Sequence, residues 1–516
     1  MKNFKDIKIL DCTLRDGGYY TNWDFESDLV DNYFEAMEKI SIDYVEIGYR
    51  SPELSGYLGE YFYCPEYVMK QAKEKMPSKK LAIILDTKNI ELSSLEELLK
   101  PCKPYISLIR VAVSPDKFLE AIEIAKKIKE LGFQVAFNVM YMSDWLSNKT
   151  FLDQLTLVDG LIDVFYMVDS FGGVTPSDVK QITEIVKSKI STPLAFHGHN
   201  NLELGLINTL TAIECGCEIV DATITGMGRG AGNLKTELLL TYLASKHQRE
   251  VGFNYLASTV QDFQELNKSH NWGTNLPYMV SGSNSLPQKQ VMDWIGKKTY
   301  SIDSIITAIH NSNSNKDKFY PVYKQDKKHT KCLIVGGGNS VEIHKKAILE
   351  FVNDNENICV IHVSSRNASI FSEIDKEQYF CMMGNEGYRM KGVLNKKISQ
   401  LNLKCILPPS PREMGTYIPE EVENQTYELE SLSIESNNSI PLAMAFELTD
   451  VQKLKEVFVT GFDGYWSDVT SNQLELAIEN ENIFSKLNEE GIKVISLTET
   501  KYENLIKQSI YSKISI

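Results

Sequence analysis

No CxxC pair occurs among the nine cysteines of this chain, and only Cys215 and Cys217 lie close together, flanking a glycine in an apolar stretch. That pattern offers neither a paired-thiolate zinc framework nor a disulfide scaffold, so the cysteines are expected to be buried, reduced thiols. Positive charge is also short: 54 Lys+Arg against 69 Asp+Glu leave a formal net charge of −15. A surface of that sign repels nucleic acid and anionic membranes. An anionic substrate then needs local positive charge, from arginines or a metal. No apolar run approaches the roughly 20 residues that a membrane span requires. The opening residues, MKNFKDIKIL, run straight into a strand pattern with no signal-peptide h-region. These absences predict a cytoplasmic protein with small-molecule partners, no nucleic acid and no membrane.

What is present is a globular composition, 43% hydrophobic and 24% charged, over 516 residues, too long for one ordinary core. Short β-rich runs alternate with amphipathic stretches. The runs are IKILDC, DYVEIGY, KLAIIL, ISLIRVAV, QVAFNVM, VFYMVDS, PLAFHGH and EIVDATI, with helical patterns such as KFLEAIEIAKKIKELG between them. Eight βα units in about 250 residues is the pattern of a TIM (β/α)8 barrel, and near-continuous apolar strands suit a sheet buried on both faces. The chain then divides into a barrel at 1–270, a helical extension at 271–310, a polar linker at 311–330 and a Rossmann-like α/β domain at 331–516. The last begins KCLIVGGGNSVEIHKKAILEFV, which reads as strand, glycine turn and helix, with ICVIHVSS, EVFVTGF and IKVISLT as further strands.

Barrel chemistry sits where strands end. Polar residues at those ends are Arg15 and Asp16, Glu46, Arg110, Asn138, Asp169 and Ser170, and His197 and His199, with Thr223 leading into GMGRGAGN. Residues two apart on a strand share a side, so the two imidazoles can grip one ion. Asp16 comes next to them once the barrel closes. With Asn233 as a candidate fourth ligand, the set is oxygen and nitrogen with open positions, suited to Mn²⁺ or Mg²⁺, or to Zn²⁺ or Fe²⁺. Taken singly, each feature has a blander reading: HxH as a structural pair, RDG as a turn, Glu46 with Arg110 as an interior ion pair. Their joint placement at the loop ends of separate strands favours the metal.

DCTLRDG at the first strand, HGHNN at the seventh and GMGRGAGN after the eighth together resemble the DRE-TIM metallolyases. That group includes pyruvate-forming 4-hydroxy-2-oxovalerate aldolases, hydroxymethylglutaryl-CoA lyases, and isopropylmalate and homocitrate synthases. The resemblance covers somewhat over half of the chain, and LELGLINTLTAIECGCEIVDATITGMGRGAGN is most similar to the hydroxy-oxovalerate aldolase branch. It implies a divalent-metal-dependent aldolase that makes or cleaves a carbon–carbon bond beside a 2-oxo acid, pyruvate enolate plus an aldehyde, in a homodimer. It implies Asp16, His197 and His199 as metal ligands with Asn233 as a candidate further ligand, Arg15 beside the enolate oxygen, Glu46 in acid–base chemistry, and Asp169 and Ser170 lining the substrate pocket, where Arg110 and Asn138 are candidates from their place on the strands. One position departs from the family. Where the aldolases have RDGxH and the acyl-CoA synthases RDGxQ, this chain has RDGGY. A phenol with a reference pKa of about 10 is a poor base at neutral pH unless a cation lowers it. Tyr19 is then a candidate catalytic residue or a wall of the pocket, and Gly17 and Gly18 are expected to form a tight turn beside the ion.

GGGNS after CLIV invites a phosphate or nucleotide reading over Gly336, Gly337, Gly338, Asn339 and Ser340, aided by Arg366. The dinucleotide fingerprint is incomplete. Val341 stands where Gly or Ala is wanted, and no acidic residue ends the next strand. TGFDGYWSD and ISLTETKY loosely resemble segments of surface-polysaccharide proteins, which suggests a sugar-like aldehyde. The alternatives are an acyl-CoA-dependent Claisen synthase, a metal-binding barrel without catalysis, and an NAD-dependent dehydrogenase in the C-terminal domain.

Overall fold

A computed structural model describes residues 4–296, 302–314, 319–324, 329–384, 386–410, 412, 416–433, 441–465 and 471–514. It separates into two compact units, Met1–Met292 and Asp293–Ile516.

The first unit is a closed, all-parallel barrel. Its strands are β1 (Lys8–Asp11), β2 (Tyr44–Tyr49), β3 (Lys80–Asp86), β4 (Ile106–Val113), β5 (Gln134–Val139), β6 (Val164–Asp169), β7 (Leu194–Gly198) and β8 (Ile219–Ala222). All eight overlap the runs read from the sequence. Side chains alternate along each strand. Ile9, Val45, Ile83, Ile109, Phe137, Phe165 and Val220 pack outward in the large core shared with the helices. Leu10, Tyr44, Leu108, Ala136, Ala195 and Ile219 fill the barrel interior. Two residues further along, on the same interior face, stand Cys12, Glu46, Arg110, Asn138, His197 and Asp221, all buried. The barrel is therefore apolar at the bottom and ionic at the top, where the βα loops begin.

One expectation changes. Gly17 and Gly18 do not form a turn: Thr13–Thr21 is a helix that starts immediately after β1 and ends at Asn22 in the left-handed conformation. The glycines serve close packing instead. A Cβ on Gly17 would lie 2.5 Å from Met227 Sδ, and one on Gly18 would lie 2.1 Å from Trp23 Cδ1.

In the second unit the strands are β9 (Lys331–Val335), β10 (Ile358–His362), β11 (Gln378–Cys381), β12 (Leu403–Leu407), β13 (Thr426–Glu428), β14 (Glu456–Thr460), β15 (Val494–Ser496) and β16 (Ile506–Lys507). They form one parallel sheet in the order β13-β12-β11-β10-β9-β14-β15-β16. The strand order reverses between β9 and β14, the place where such sheets open a crevice. β11, β12, β13 and β16, of 4, 5, 3 and 2 residues, were not anticipated. The expected linker is also structured where it is described. Residues 311–314 end the helix Ile302–Ser314, Val322 bridges Glu428, and Tyr323 is buried in the core around β9 to β11. Its polar composition hid an apolar ring. Residues 315–318 and 325–328 of that stretch, and 466–468 of TGFDGYWSD, lie outside the described residues. No helix among the described residues is long and apolar enough to cross a membrane.

Glu377, just ahead of β11, accepts from His329 Nε2 at 2.9 Å and Lys404 Nζ at 2.8 Å. The bond from His329 foremost, with Lys404, pulls its carboxyl down to about 2, against the opposing effect of burial. A glutamate of reference value 4.5 in the unfolded chain binds the proton more readily than this one. The stabilisation is therefore complete above pH 4.5 and lost as pH falls toward about 2. Glu377→Gln is expected to cost the C-terminal unit roughly 1–2 kcal/mol at neutral pH and to flatten its acid limb. Urea unfolding read by pulse proteolysis at pH 7 and pH 3 measures both, and an acid limb as steep as the parent's would count against the pairing.

Candidate active site

The ionic layer closes on itself. Arg15 Nε donates to Glu46 Oε2 at 2.6 Å, and Arg110 Nη1 donates to the same oxygen at 2.9 Å. Arg110 Nη2 reaches Asp221 Oδ2 at 2.5 Å, and His197 Nδ1 shares that oxygen at 2.8 Å. His197 Nε2 stands 3.5 Å from Asp16 Oδ2, while Arg15 Nη1 binds Asp16 Oδ1. Arg110 is further held by Asn138 Oδ1 at 2.9 Å and lies over the Tyr166 ring. Burial alone would neutralise these groups. Burial pushes the Asp16 carboxyl up, but Arg15, His197 and His199 outweigh it and hold it below its ordinary value. Burial likewise opposes ionisation of Asp221, and Arg110 with His197 more than compensates. Both arginines are held charged, Arg110 by Asp221 and Glu46 and Arg15 by Asp16 and Glu46. The circuit counts three carboxylates, Asp16, Glu46 and Asp221, against two guanidinium groups, so one negative charge is left over.

The donor set fits a divalent cation. His199 Nδ1 is bonded to the Asp169 carbonyl at 2.7 Å, as His197 Nδ1 is to Asp221. An acceptor on each Nδ1 fixes the proton there and leaves each Nε2 lone pair available. Burial brings the His199 pKa down to about 4, so its ring is neutral and able to ligate. Asn233 Nδ2 donates to Asp16 Oδ2 at 2.6 Å, and its Oδ1 is buried with no partner among the described residues, the kind of orphaned acceptor that a cation satisfies. Cys12 Sγ lies within 4.8 Å of ligand atoms of Asp16 and His197. Burial raises its thiol pKa well above normal and it sits 3.7 Å from the Ala222 carbonyl, so it is a neutral neighbour of the set.

A cavity of about 390 Å³ opens on this layer. Of the residues expected from the sequence, Arg15, Asp16, Tyr19, Asn138, Ser170, His197 and His199 line it. Glu46, Arg110, Asp169 and Asn233 are brought to the same site but stand behind the wall. Glu46 and Arg110 are fully buried ion-pair partners, and neither lines the cavity. Asp169 turns its carboxylate to Gly173 N, and burial raises its pKa to about 7. The sequence reading missed Asp221, hidden inside the apolar run EIVDATI, and it missed Tyr49, Tyr141 and Arg229 on the cavity wall. The two tyrosines after RDGG divide their work. Tyr19 Oη lies 3.0 Å from Tyr49 Oη on the cavity. Tyr20 Oη turns away and donates to the Gly230 carbonyl at 2.8 Å, tying the first helix to the glycine loop.

In the C-terminal unit, the run Gly336–Ser340 follows β9 at the strand-order reversal. Its expected phosphate position already holds a carboxylate. Asp463 Oδ2 accepts from Ser340 N at 2.9 Å and Oδ1 from Ser340 Oγ at 2.5 Å. Gly338 packs against the same carboxylate, since a Cβ there would lie 2.6 Å from Asp463 Oδ1. Arg366 Nη1 is turned to the Gly337 carbonyl at 3.3 Å.

A family model described as HMGL-like matches residues 109–271. A 4-hydroxy-2-oxovalerate aldolase from Carboxydothermus hydrogenoformans is 32% identical over 244 residues, 46% of this chain and 71% of that protein. An oxaloacetate decarboxylase from Mycobacterium tuberculosis is 25% identical over 236 residues, 46% of this chain and 69% of that protein. Among solved structures, the N-terminal domain of a provisionally named aldolase from Bacteroides vulgatus is 52% identical with a TM-score of 0.56, covering 58% of this chain and 100% of that domain.

Asp221→Asn keeps the shape of the circuit but removes a charge from both Arg110 and His197. It is expected to destabilise the barrel by about 3 kcal/mol in urea unfolding. It is also expected to weaken Mn²⁺ binding by roughly 10- to 100-fold in a direct titration. Parent-like values for both would show that the circuit is not closed through Asp221.

Proposed function

The chain belongs to the HMGL-like, or DRE-TIM, family, and from that premise we propose that it is a divalent-metal-dependent aldolase acting on a 2-oxo acid, with pyruvate as the enolate component. The observation that carries this reading is the pair of histidines with both Nδ1 atoms anchored, set beside Asp16 and Arg15 on one cavity wall. A dication held by Asp16, His197 and His199, with Asn233 at hand, supplies Lewis-acid polarisation of a 2-oxo acid.

The chain's own residues supply the rest. Arg15 is fixed by Glu46 through Nε and by Asp16 through Nη1, and its Nη2 has no partner among the described residues. It therefore presents a fixed cation where negative charge develops on the enolate oxygen. Glu46 takes the role of holding Arg15 and Arg110, in place of the acid–base role first expected. Tyr19 is the proton carrier. Burial keeps the Tyr49 phenol protonated, far above its ordinary pKa, and with Tyr49 as the donor of the bond it shares with Tyr19 the Tyr19 hydroxyl proton is directed at the substrate. In condensation, solvent water in the cavity takes the methyl proton of pyruvate, the C–C bond forms between enolate carbon and aldehyde carbon, and the Tyr19 hydroxyl gives its proton to the aldehyde oxygen and recovers one from that water; cleavage runs the same path backward. The oxaloacetate decarboxylase among the relatives suggests a second reading, in which the same enolate arises by loss of CO₂.

Pyruvate in D₂O tests the enolate step alone. Methyl-proton exchange by NMR is expected with Mn²⁺ or Mg²⁺, to vanish with chelator and to vanish in Asp16→Asn. Tyr19→Phe is expected to keep the exchange while aldol turnover falls roughly 100- to 1,000-fold. Turnover undiminished in Tyr19→Phe would remove Tyr19 from the chemistry, and CO₂ release from oxaloacetate without aldol cleavage would favour the decarboxylase reading.

A further inference from the structure

Two arginines line the barrel cavity, and they differ in what they hold. The charge of Arg15 is engaged by Glu46 and Asp16. Arg229, in the glycine run after β8, has no carboxylate partner among the described residues, and its Nε is buried without a hydrogen-bond acceptor. An unsatisfied guanidinium nitrogen in a cavity wall is costly, and it persists where a ligand supplies the acceptor.

Arg229 is also held in place. Its guanidinium carbon lies 5.2 Å from the centre of the Tyr19 ring. The next residue, Gly230, is tied on both sides, its carbonyl to Tyr20 Oη at 2.8 Å and its amide to Met292 Sδ at 3.1 Å. Gly226, Gly230 and Gly232 have positive φ, and a Cβ on Gly230 would lie 2.6 Å from Gln288 Oε1, so the loop has one tight course. The other charge on the wall outside the metal cluster, Asp144, comes from across the barrel after β5 and is exposed. The positive group therefore rises from a fixed backbone and lies next to Tyr19.

We infer that Arg229 anchors an anionic group on the second substrate, which makes that substrate a short aldehyde bearing a carboxylate or a phosphate. The inference rests on the aldolase reading. On that reading the 2-oxo acid is served by Asp16, the histidines and Arg15, and the aldehyde oxygen meets the Tyr19 hydroxyl. The guanidinium stacked on the same Tyr19 ring then faces the remainder of the aldehyde, a few bonds from the reacting carbon. A planar fork of N–H donors takes a carboxylate or a phosphate through two parallel bonds. A neutral alkyl aldehyde would leave that fork unpaired.

The test compares pyruvate condensation with butanal, succinic semialdehyde and glyceraldehyde 3-phosphate in the parent and in Arg229→Gln. The parent is expected to prefer one of the two anionic aldehydes over butanal by at least 10-fold in kcat/KM, and which one identifies carboxylate or phosphate. Arg229→Gln is expected to lose roughly 10- to 100-fold with that aldehyde, mainly in KM, and to erase the preference. No preference in the parent, or an equal loss with butanal, overturns the inference. So does loss of pyruvate methyl exchange in Arg229→Gln, which would assign the arginine to the 2-oxo acid. Calorimetric titration with the unreactive probes 4-hydroxybutyrate and glycerol 3-phosphate separates the two layers. If one binds the parent and not the variant while no pyruvate exchange occurs in either, the anion site stands and the aldolase reading fails. If exchange occurs and neither probe binds, the anion site fails alone.

Discussion

Three carboxylates and two guanidinium groups sealed inside one barrel have to neutralise one another, and the rest of the site follows from that requirement. Arg15 and Asp16 follow β1, Glu46 is on β2, Arg110 on β4, His197 on β7 and Asp221 on β8. No two strands alone could bring them together; a closed sheet does. Each side chain is fixed by partners on other strands, so the groups facing the cavity are preorganised before any substrate arrives. A buried circuit of this kind is weak evidence for extra stability, but deleting one member strands its partner as an unpaired charge. The one surplus negative charge leaves the layer suited to a cation.

Much of this was legible because strands keep a period of two. Tyr44 and Glu46, Leu108 and Arg110, Ala195 and His197 each show an apolar interior residue followed two places on by a polar one. Placing the second member at the loop end needed only the strand assignment. What escaped was context. Asp221 has the same spacing from Ile219, but it sits in a run that reads as plain strand, and only closure of the barrel sets it against Arg110 and His197. Gly17 and Gly18 read as a turn because glycine usually marks one, whereas here the helix needs the space their missing side chains leave for Met227 and Trp23. In the C-terminal unit β16 is two exposed residues, too few for a pattern to show, while β11 and β12, at four and five, are about as long as the strands that are read.

The position that departs from the family, Tyr19, is surrounded by residues suited to a phenol. Tyr49 meets its hydroxyl, Trp23 meets its ring edge-on at 5.0 Å, and Arg229 covers its face. An imidazole there would offer the guanidinium a smaller face, and a repelling one when protonated. Tyr19 and Arg229 thus meet face to face across the cavity wall, one from the first helix and the other from the glycine run after β8.

The C-terminal unit keeps the parallel sheet, the glycine turn and the reversal of strand order that elsewhere receive phosphates, yet Asp463 already sits there, bonded through both oxygens to Ser340. A tethered anion behaves as a ligand at an effective concentration far above that of a free metabolite. A phosphate arriving at this crevice enters a competition, not a vacancy, and its apparent affinity is set as much by how readily Asp463 can swing away as by the glycines it would rest on.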